Sequence, residues 1–233
     1  MAAKFLVVAN WKANKTLFAA EEWCRAFSTH PLPGGVEIVL AAPYPLLRPL
    51  ARETRDLKLP LVLGAQDISA FGPGPYTGEV TGEMLSELGV KYVLVGHSER
   101  RKLLGETTAD VAKKTARARD AGIIPIICAR NLSDIPNFSN LPKPSCVMYE
   151  PEEAISTNGS YRPELPENIN RVLESWQAKL SAGTKFLYGG SLSPDFKFQT
   201  LNFQLISGLV VGHASLDPGS FFAIIEGCLP SAS

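Results

Sequence analysis

Residues able to move a proton or hold an anion stand directly behind short aliphatic runs of this sequence. Asn10 and Lys12 follow FLVVA (5–9), His97, Ser98 and Glu99 follow YVLVG (92–96), and Glu150 follows CVMY (146–149). Gly189, Gly190 and Ser191 follow KFLY (185–188), while Gly212 and His213 stand at the end of GLVVG (208–212). The set holds a carboxylate base, an imidazole that can stay neutral, a cation and two glycine-bearing turns. Turns that lead into helices expose backbone N–H groups and suit a phosphate. Together these types fit proton abstraction beside a carbonyl in a phosphorylated substrate.

Taken singly, each residue has an ordinary explanation. A Glu at a strand end commonly sits in a surface ion pair, a His commonly caps or packs, and a Lys is commonly solvated. YGGS (188–191) could be a plain turn, and GPGPY (72–76) a rigid loop. Their joint placement behind successive strands is what carries weight, so the elements matter.

Eight strand-sized runs recur: FLVVA (5–9), EIVLA (37–41), LVLGA (61–65), YVLVG (92–96), IIPIICA (123–129), CVMY (146–149), KFLY (185–188) and GLVVG (208–212). Most are apolar at consecutive positions, the pattern of strands buried on both faces of a parallel sheet. Helix-length segments lie between most of them, including 16–28, 108–122 and 167–183, the last closing on Gly183 as a C-cap. Strands alternating with helices allow a doubly wound sheet or a closed barrel. The count of eight favours a (β/α)8 barrel, whose chemistry sits at the C-terminal ends of the strands. One crossover is unusual: between Cys128 and Cys146 stand Pro136, Pro142 and Pro144. An interior proline costs a helix about 3 kcal/mol. The helix between strands 5 and 6 is therefore expected to be missing or vestigial, with at most a short turn near Leu132–Ile135. No repeat or linker-like stretch divides the chain, so residues 1–233 are expected to form a single (β/α)8 barrel domain.

Bulk properties narrow the partners. Lys+Arg and Asp+Glu both number 23, a balance that argues against gripping nucleic acid or an anionic membrane. The apolar runs are too short to span a bilayer. The opening MAAKFLVVANWK lacks a secretory leader's apolar core and cleavage site. Cys24, Cys128, Cys146 and Cys228 lie far apart, with no CxxC pair, and suggest no metal site. They read as reduced thiols, three of them buried, and the compartment reads as cytoplasmic.

The segments ANWKANK (9–15), GAQDISAFGPGPYTGEV (64–80), VGHSERR (95–101), YEPEEAIST (149–157), YGGS (188–191) and VVGHASL (210–216) resemble, in order and spacing, the motifs of the triosephosphate isomerase family. The likeness extends from about residue 5 to residue 226. It implies interconversion of dihydroxyacetone phosphate and D-glyceraldehyde 3-phosphate, a step of glycolysis and gluconeogenesis, without metal or organic cofactor. This family is a well-known instance of pKa tuning beneath a closing lid, which implies Glu150 as base and His97 as neutral electrophile. Lys12 would offset substrate charge, with Asn10 as a second donor and Glu99 holding Lys12. Ser156, Ser191, Gly212 and His213 would bind the phosphate through backbone N–H groups. Residues 151–158 match the lid, Tyr188 its latch, and Cys128 supports the site from strand five. Tyr76, Thr77 and Glu79 match the protruding loop by which members dimerise, each loop packing near the partner's Lys12 and the partner's His97, so a homodimer is expected.

Some positions depart from the pattern. Glu153 stands where most bacterial and eukaryotic members have tryptophan, and Ser156 and Asn158 stand near usual glycines. His213 replaces the second glycine of the phosphate pair, and Ala129-Arg130 replaces a Gly-Glu pair after Cys128. Two alternatives stay open at this point: another barrel phosphosugar isomerase or epimerase, and a non-catalytic barrel that binds phosphate ligands.

Overall fold

The structure, a computed structural model, describes residues 5–136, 146–151, 154 and 163–228. The eight apolar runs become β1 Phe5–Asn10, β2 Val36–Ala42, β3 Leu61–Ala65, β4 Tyr92–Val95, β5 Ile124–Ala129, β6 Cys146–Tyr149, β7 Lys185–Tyr188 and β8 Ile206–Val211. Each pairs in parallel with the next, and β8 pairs with β1, closing the barrel. The expected eight-stranded α/β barrel is the fold observed.

The pleat sorts the side chains into two layers. Leu6 and Val8, Ile126 and Cys128, Cys146 and Met148, Leu187 and Val210 point into the barrel and pack together. Their neighbours Val7, Ala9, Ile127, Val147, Tyr188 and Val211 pack outward against the helices. Asn10 continues the inward parity of Leu6 and Val8, and Glu150 continues that of Cys146 and Met148. The strand period thus aims both side chains at the barrel mouth.

The outer layer holds α1 Leu17–Ser28, α2 Tyr44–Asp56, α3 Gly82–Glu87, α4 Ser98–Leu104, α5 Thr108–Asp120, α6 Pro166–Gln177 and α7 Pro218–Gly227. Thr16 opens α1 by accepting the Ala19 N–H at 3.3 Å, and Thr107 opens α5 in a capping box with Asp110. The helix expected over 167–183 ends early, at Gln177. Lys179 and Leu180 both donate to the Trp176 carbonyl, at 2.9 and 2.8 Å, which tightens the chain and buries Leu180. Gly183, at φ 86, therefore serves a later turn rather than the helix cap.

From β5 toward β6 the described residues hold only a 3-10 turn, Leu132–Asp134, and residues 137–145 lie outside the described set. A second crossover without an α-helix was not anticipated. Between β7 and β8 there is only the 3-10 turn Phe198–Thr200. Phe196, Phe198, Leu201 and Leu205 are all buried there, at spacings that no single helical stripe would satisfy. All four cysteines are free and buried, one more than the sequence suggested. No helix among the described residues is long and apolar enough to cross a membrane.

Candidate active site

The residues singled out behind the strands meet at one end of the barrel. Asn10, Lys12, His97, Glu150, Ser191, Gly212 and His213 line a single narrow cleft. Glu150 is only 2% exposed. Its backbone N–H donates to Ala129 O at 2.9 Å, continuing the β5–β6 ladder past the strand end. Its carboxylate takes two hydrogen bonds: His97 Nε2 lies 3.0 Å from Oε1, and the Ser98 N–H donates to Oε2 at 3.0 Å. Burial is the largest influence on this carboxyl and pushes its pKa up. Hydrogen bonds from His97 and Ser98 act against burial and bring it below the usual carboxylate value.

His97 stands at the N-cap of α4, where its Nδ1 accepts the Glu99 N–H at 3.3 Å. A ring nitrogen that accepts cannot also carry a proton. The other nitrogen, Nε2, then holds the hydrogen and donates it to Glu150, which is the neutral tautomer. Gly96, just before His97, turns the chain at φ 74. A Cβ there would lie 2.7 Å from Val111 and 2.9 Å from the Arg101 guanidinium, so both conformation and space require glycine. The Gly96 N–H donates to Glu106 Oε1 at 3.1 Å, and its carbonyl accepts Arg101 Nε at 2.9 Å. Charged groups thus clamp both sides of the residue that aims His97.

Lys12 occupies a left-handed conformation, φ 51, uncommon for a side-chain-bearing residue. Three contacts hold it there. Its N–H donates to Asn10 Oδ1 at 3.1 Å, its carbonyl accepts Gln66 Nε2 at 3.0 Å, and its ammonium meets Glu99 Oε1 at 2.5 Å. Gln66 and Glu106 were not singled out from the sequence. Nothing about an isolated Gln or Glu in a loop marks it, because their roles are to hold other residues. Arg101 lies inside VGHSERR, and only its neighbours gave it notice.

The remaining predicted residues are more varied. The Ser191 N–H and hydroxyl both donate to Ala154 O, each at 2.7 Å. Tyr188 is fully buried, and its hydroxyl makes no hydrogen bond of good geometry to a described residue. Burial raises its pKa, with partial relief from the backbone of Glu164. A side chain at Gly190 would collide with that hydroxyl. Cys128 lies inside the barrel, and burial, reinforced by the charge of Glu150, pushes its thiol well above the ordinary value. It packs among the inward side chains, and the raised pKa disfavours the reactive thiolate. Ser156, with Glu153 and Asn158, lies outside the described residues. Tyr76, Thr77 and Glu79 occupy an exposed loop closed at its base by Ser69 N–H to Val80 O, 2.9 Å. Within it Tyr76 stacks on Phe71, ring centroids 4.2 Å apart.

The replacement of Gly-Glu by Ala129-Arg130 has a local structural answer. Arg130 grips the Asp134 carboxylate with Nε and Nη2, at 2.9 and 3.1 Å, and its own N–H adds a third bond at 3.0 Å. Asp134 in turn offers its carbonyl to Arg101 Nη2 at 2.8 Å. The short turn after β5 thereby reaches the arginine that holds Gly96.

Comparison with known proteins gives the same reading from an independent side. The family model described as triosephosphate isomerase matches residues 5–228. The chain belongs to the triosephosphate isomerase family. It is 33% identical to the triosephosphate isomerase of Thermus thermophilus over 96% of this chain and 98% of that protein. The triosephosphate isomerase of Herminiimonas arsenicoxydans is 34% identical, covering 95% of this chain and 98% of the relative. That of Polynucleobacter asymbioticus is 32% identical over the same two shares. Family membership thus spans the barrel and every strand end that lines the cleft.

Proposed function

We propose that this isomerase interconverts dihydroxyacetone phosphate and D-glyceraldehyde 3-phosphate by a single shuttling base, Glu150. The observation that carries the assignment is the placement of His97 Nε2 at 3.0 Å from Glu150 Oε1 in the cleft that also holds Lys12 and Asn10. The carboxylate removes a proton from the carbon beside the carbonyl. The C–H electron pair forms the carbon–carbon double bond, and the carbonyl pair moves onto oxygen as an enediolate. His97 Nε2–H and the Asn10 amide donate to the oxygens, and the Lys12 ammonium offsets their charge. The proton of the neighbouring hydroxyl passes to the former carbonyl oxygen, Glu150 returns its own proton to the former carbonyl carbon, and the carbonyl re-forms on the carbon that was deprotonated.

To reach a carbon, the carboxylate leaves the Ser98 N–H and His97 Nε2–H that hold its pKa down. Burial then acts unopposed and makes it a stronger base at the moment it is needed. Glu99 holds Lys12, and Cys128 fills the barrel beneath the base. The phosphate is held by backbone N–H groups of Ser191, Gly212 and His213, with Ser156 completing the set. Engagement of Ser191 requires the Ala154 carbonyl to give up its two bonds. Tyr188 serves as the latch of the segment that follows Glu150.

The protein works as a cytoplasmic homodimer. The exposed Phe71–Tyr76 stack, with Thr77 and Glu79 beside it, and the exposed Leu103 and Leu104 support an interface on this side. The two leucines line a cavity with Lys12, Gln66 and His97, which a partner's loop would fill. No cofactor, nucleic acid or membrane enters the scheme. A coupled isomerase assay of wild type beside Glu150→Asp and Glu150→Gln tests it. Turnover by the wild type with a loss of at least about 10²-fold in Glu150→Gln supports the assignment; an unchanged rate in that variant sinks it.

A further inference from the structure

The turn that follows β8 is fastened from behind by two indoles. Trp11 Nε1 and Trp23 Nε1 both donate to the Ser215 carbonyl, at 3.2 and 3.0 Å. Lys15 Nζ takes the next carbonyl, Leu216 O, at 2.9 Å, and lies 5.1 Å from the Trp11 ring centroid. Within the turn, the Ser215 N–H and hydroxyl both donate to Gly212 O, at 2.9 and 2.7 Å.

These bonds form a chain with a direction. In a trans peptide the C=O and the following N–H point opposite ways. Fixing Gly212 O toward Ser215 therefore fixes the His213 N–H away from it. Ser215 can hold Gly212 O only while its own position is fixed, and the two indoles fix it through its carbonyl. Trp23 sits in α1, is buried, and is not among the residues that line the cleft. Its ring packs against Phe27 at 4.7 Å and Trp11 at 5.2 Å, a packing role that a phenylalanine could also fill. The indole N–H is what phenylalanine lacks.

We propose that Trp23 is a positioning residue for the phosphate subsite, acting through the Ser215 carbonyl to orient the His213 N–H. The proposal rests on the reading that Gly212 and His213 hold the substrate phosphate. It separates the role of the indole N–H from that of the ring. It also assigns Lys15 a supporting part, since its ammonium fixes the end of the same turn.

The test uses Trp23→Phe in the full-length protein, with two substrates: D-glyceraldehyde 3-phosphate and unphosphorylated glyceraldehyde, the latter with and without inorganic phosphite. The expected result is a fall in kcat/KM for the phosphorylated substrate of about 3- to 10-fold, the equivalent of one net hydrogen bond. Turnover of glyceraldehyde alone should stay at the wild-type level, while phosphite should activate it less strongly. Equal losses on both substrates would mean that Trp23 only packs, and no loss on either would mean that the N–H is idle; each overturns the proposal. Should Trp23→Phe fail to fold, Lys15→Met removes the neighbouring donor and should give a one-sided loss of the same kind. A symmetric or absent effect there overturns the proposal equally. Wild type that does not favour the phosphorylated substrate, or ignores phosphite, would remove the phosphate reading itself before any variant is compared.

Discussion

His97 and Glu150 are hydrogen-bonded to each other, Nε2 to Oε1 at 3.0 Å, although the proposed mechanism needs them on different atoms of one substrate. The bond makes each residue the other's placeholder. His97 helps keep the Glu150 carboxyl ionised, and Glu150 occupies the hydrogen that, in the proposed mechanism, later polarises a carbonyl. Replacing His97 by Gln should therefore have two effects. Turnover should fall by about 10²–10³-fold, the usual cost of losing a preorganised donor. The Glu150 carboxyl should also move up, since burial loses one of its two main counterweights. Titration of isotope-labelled glutamate carboxyls by NMR would read this directly. A Glu150 value equal to or below that of wild type would show that His97 does not hold the base down.

Tyr188 should separate stability from function. Its hydroxyl is buried without a well-formed bond to a described residue, so Tyr188→Phe removes little from this arrangement. The melting temperature should change by no more than a few degrees, about 1 kcal/mol. If the hydroxyl latches the segment after Glu150 during turnover, kcat should fall and phosphate should be lost from the enediolate. Methylglyoxal formation measures that loss. A variant with unchanged kcat and no added methylglyoxal would rule out the latch.

The barrel was legible because parallel strands buried on both faces leave consecutive apolar residues, and β3, β6 and β7 have the same limits in the structure as in the runs LVLGA, CVMY and KFLY. The side chains that meet in the cleft were legible for a related reason: Asn10 and Glu150 continue the inward parity of their strands. What stayed hidden acts at second hand. Gln66 matters only because the Lys12 carbonyl comes within 3.0 Å of it, and Glu106 because of the Gly96 N–H. Such partners lie 54 and 10 residues away in sequence, and no local pattern records them. The helix-free path from β7 to β8 was hidden because Phe198, Leu201 and Leu205 share a helical spacing, and only the burial of Phe196 on the other side breaks it. Gly183 misled for a similar reason, since a left-handed glycine marks any tight turn and not only a helix end.

Lys12 carries a conformational cost that glycine would not. A left-handed backbone costs a side-chain-bearing residue roughly 1 kcal/mol, and three contacts hold Lys12 there. Lys12→Gly relieves that cost but loses the ion pair with Glu99, which is partly exposed and worth about 0–1 kcal/mol. Glycine also gains freedom in the unfolded chain, which costs about 0.4–1 kcal/mol. These contributions nearly cancel, so thermal stability should remain within about 4 °C of wild type. Turnover should nevertheless collapse by at least about 10²-fold, because the proposed mechanism places the Lys12 cation beside the developing enediolate. A large drop in melting temperature would show that Lys12 is chiefly a structural residue.

Asp134 gives a pH-dependent prediction. Burial is the largest influence on its carboxyl and pushes it up, but the bonds from Arg130 and the charge of Arg101 prevail and hold it below the ordinary value of 3.8. A carboxylate depressed in the folded state binds fewer protons than in the unfolded chain over the window between the two values. Its stabilisation is therefore complete above the unfolded value, about 3.9, and is lost as pH falls through the folded one. Asp134→Asn removes the charge from a site where Arg130 supplies three bonds. It should lower stability near neutral pH by about 2 kcal/mol, typical of a hydrogen bond to a charged group. Below pH 4 the gap to wild type should narrow, because Asp134 of the unfolded wild-type chain then takes up protons that folding must release. Melting curves of both proteins at pH 7, 5, 4 and 3 would measure it, and a gap that widens on acidification would contradict the assignment. The same substitution removes the carboxylate charge 3.8 Å from Arg101 Nη1 and so loosens Arg101, whose guanidinium holds the Gly96 carbonyl. A fall in kcat of a few fold with KM nearly unchanged should accompany the stability loss, since a misaimed His97 affects the transition state more than substrate binding.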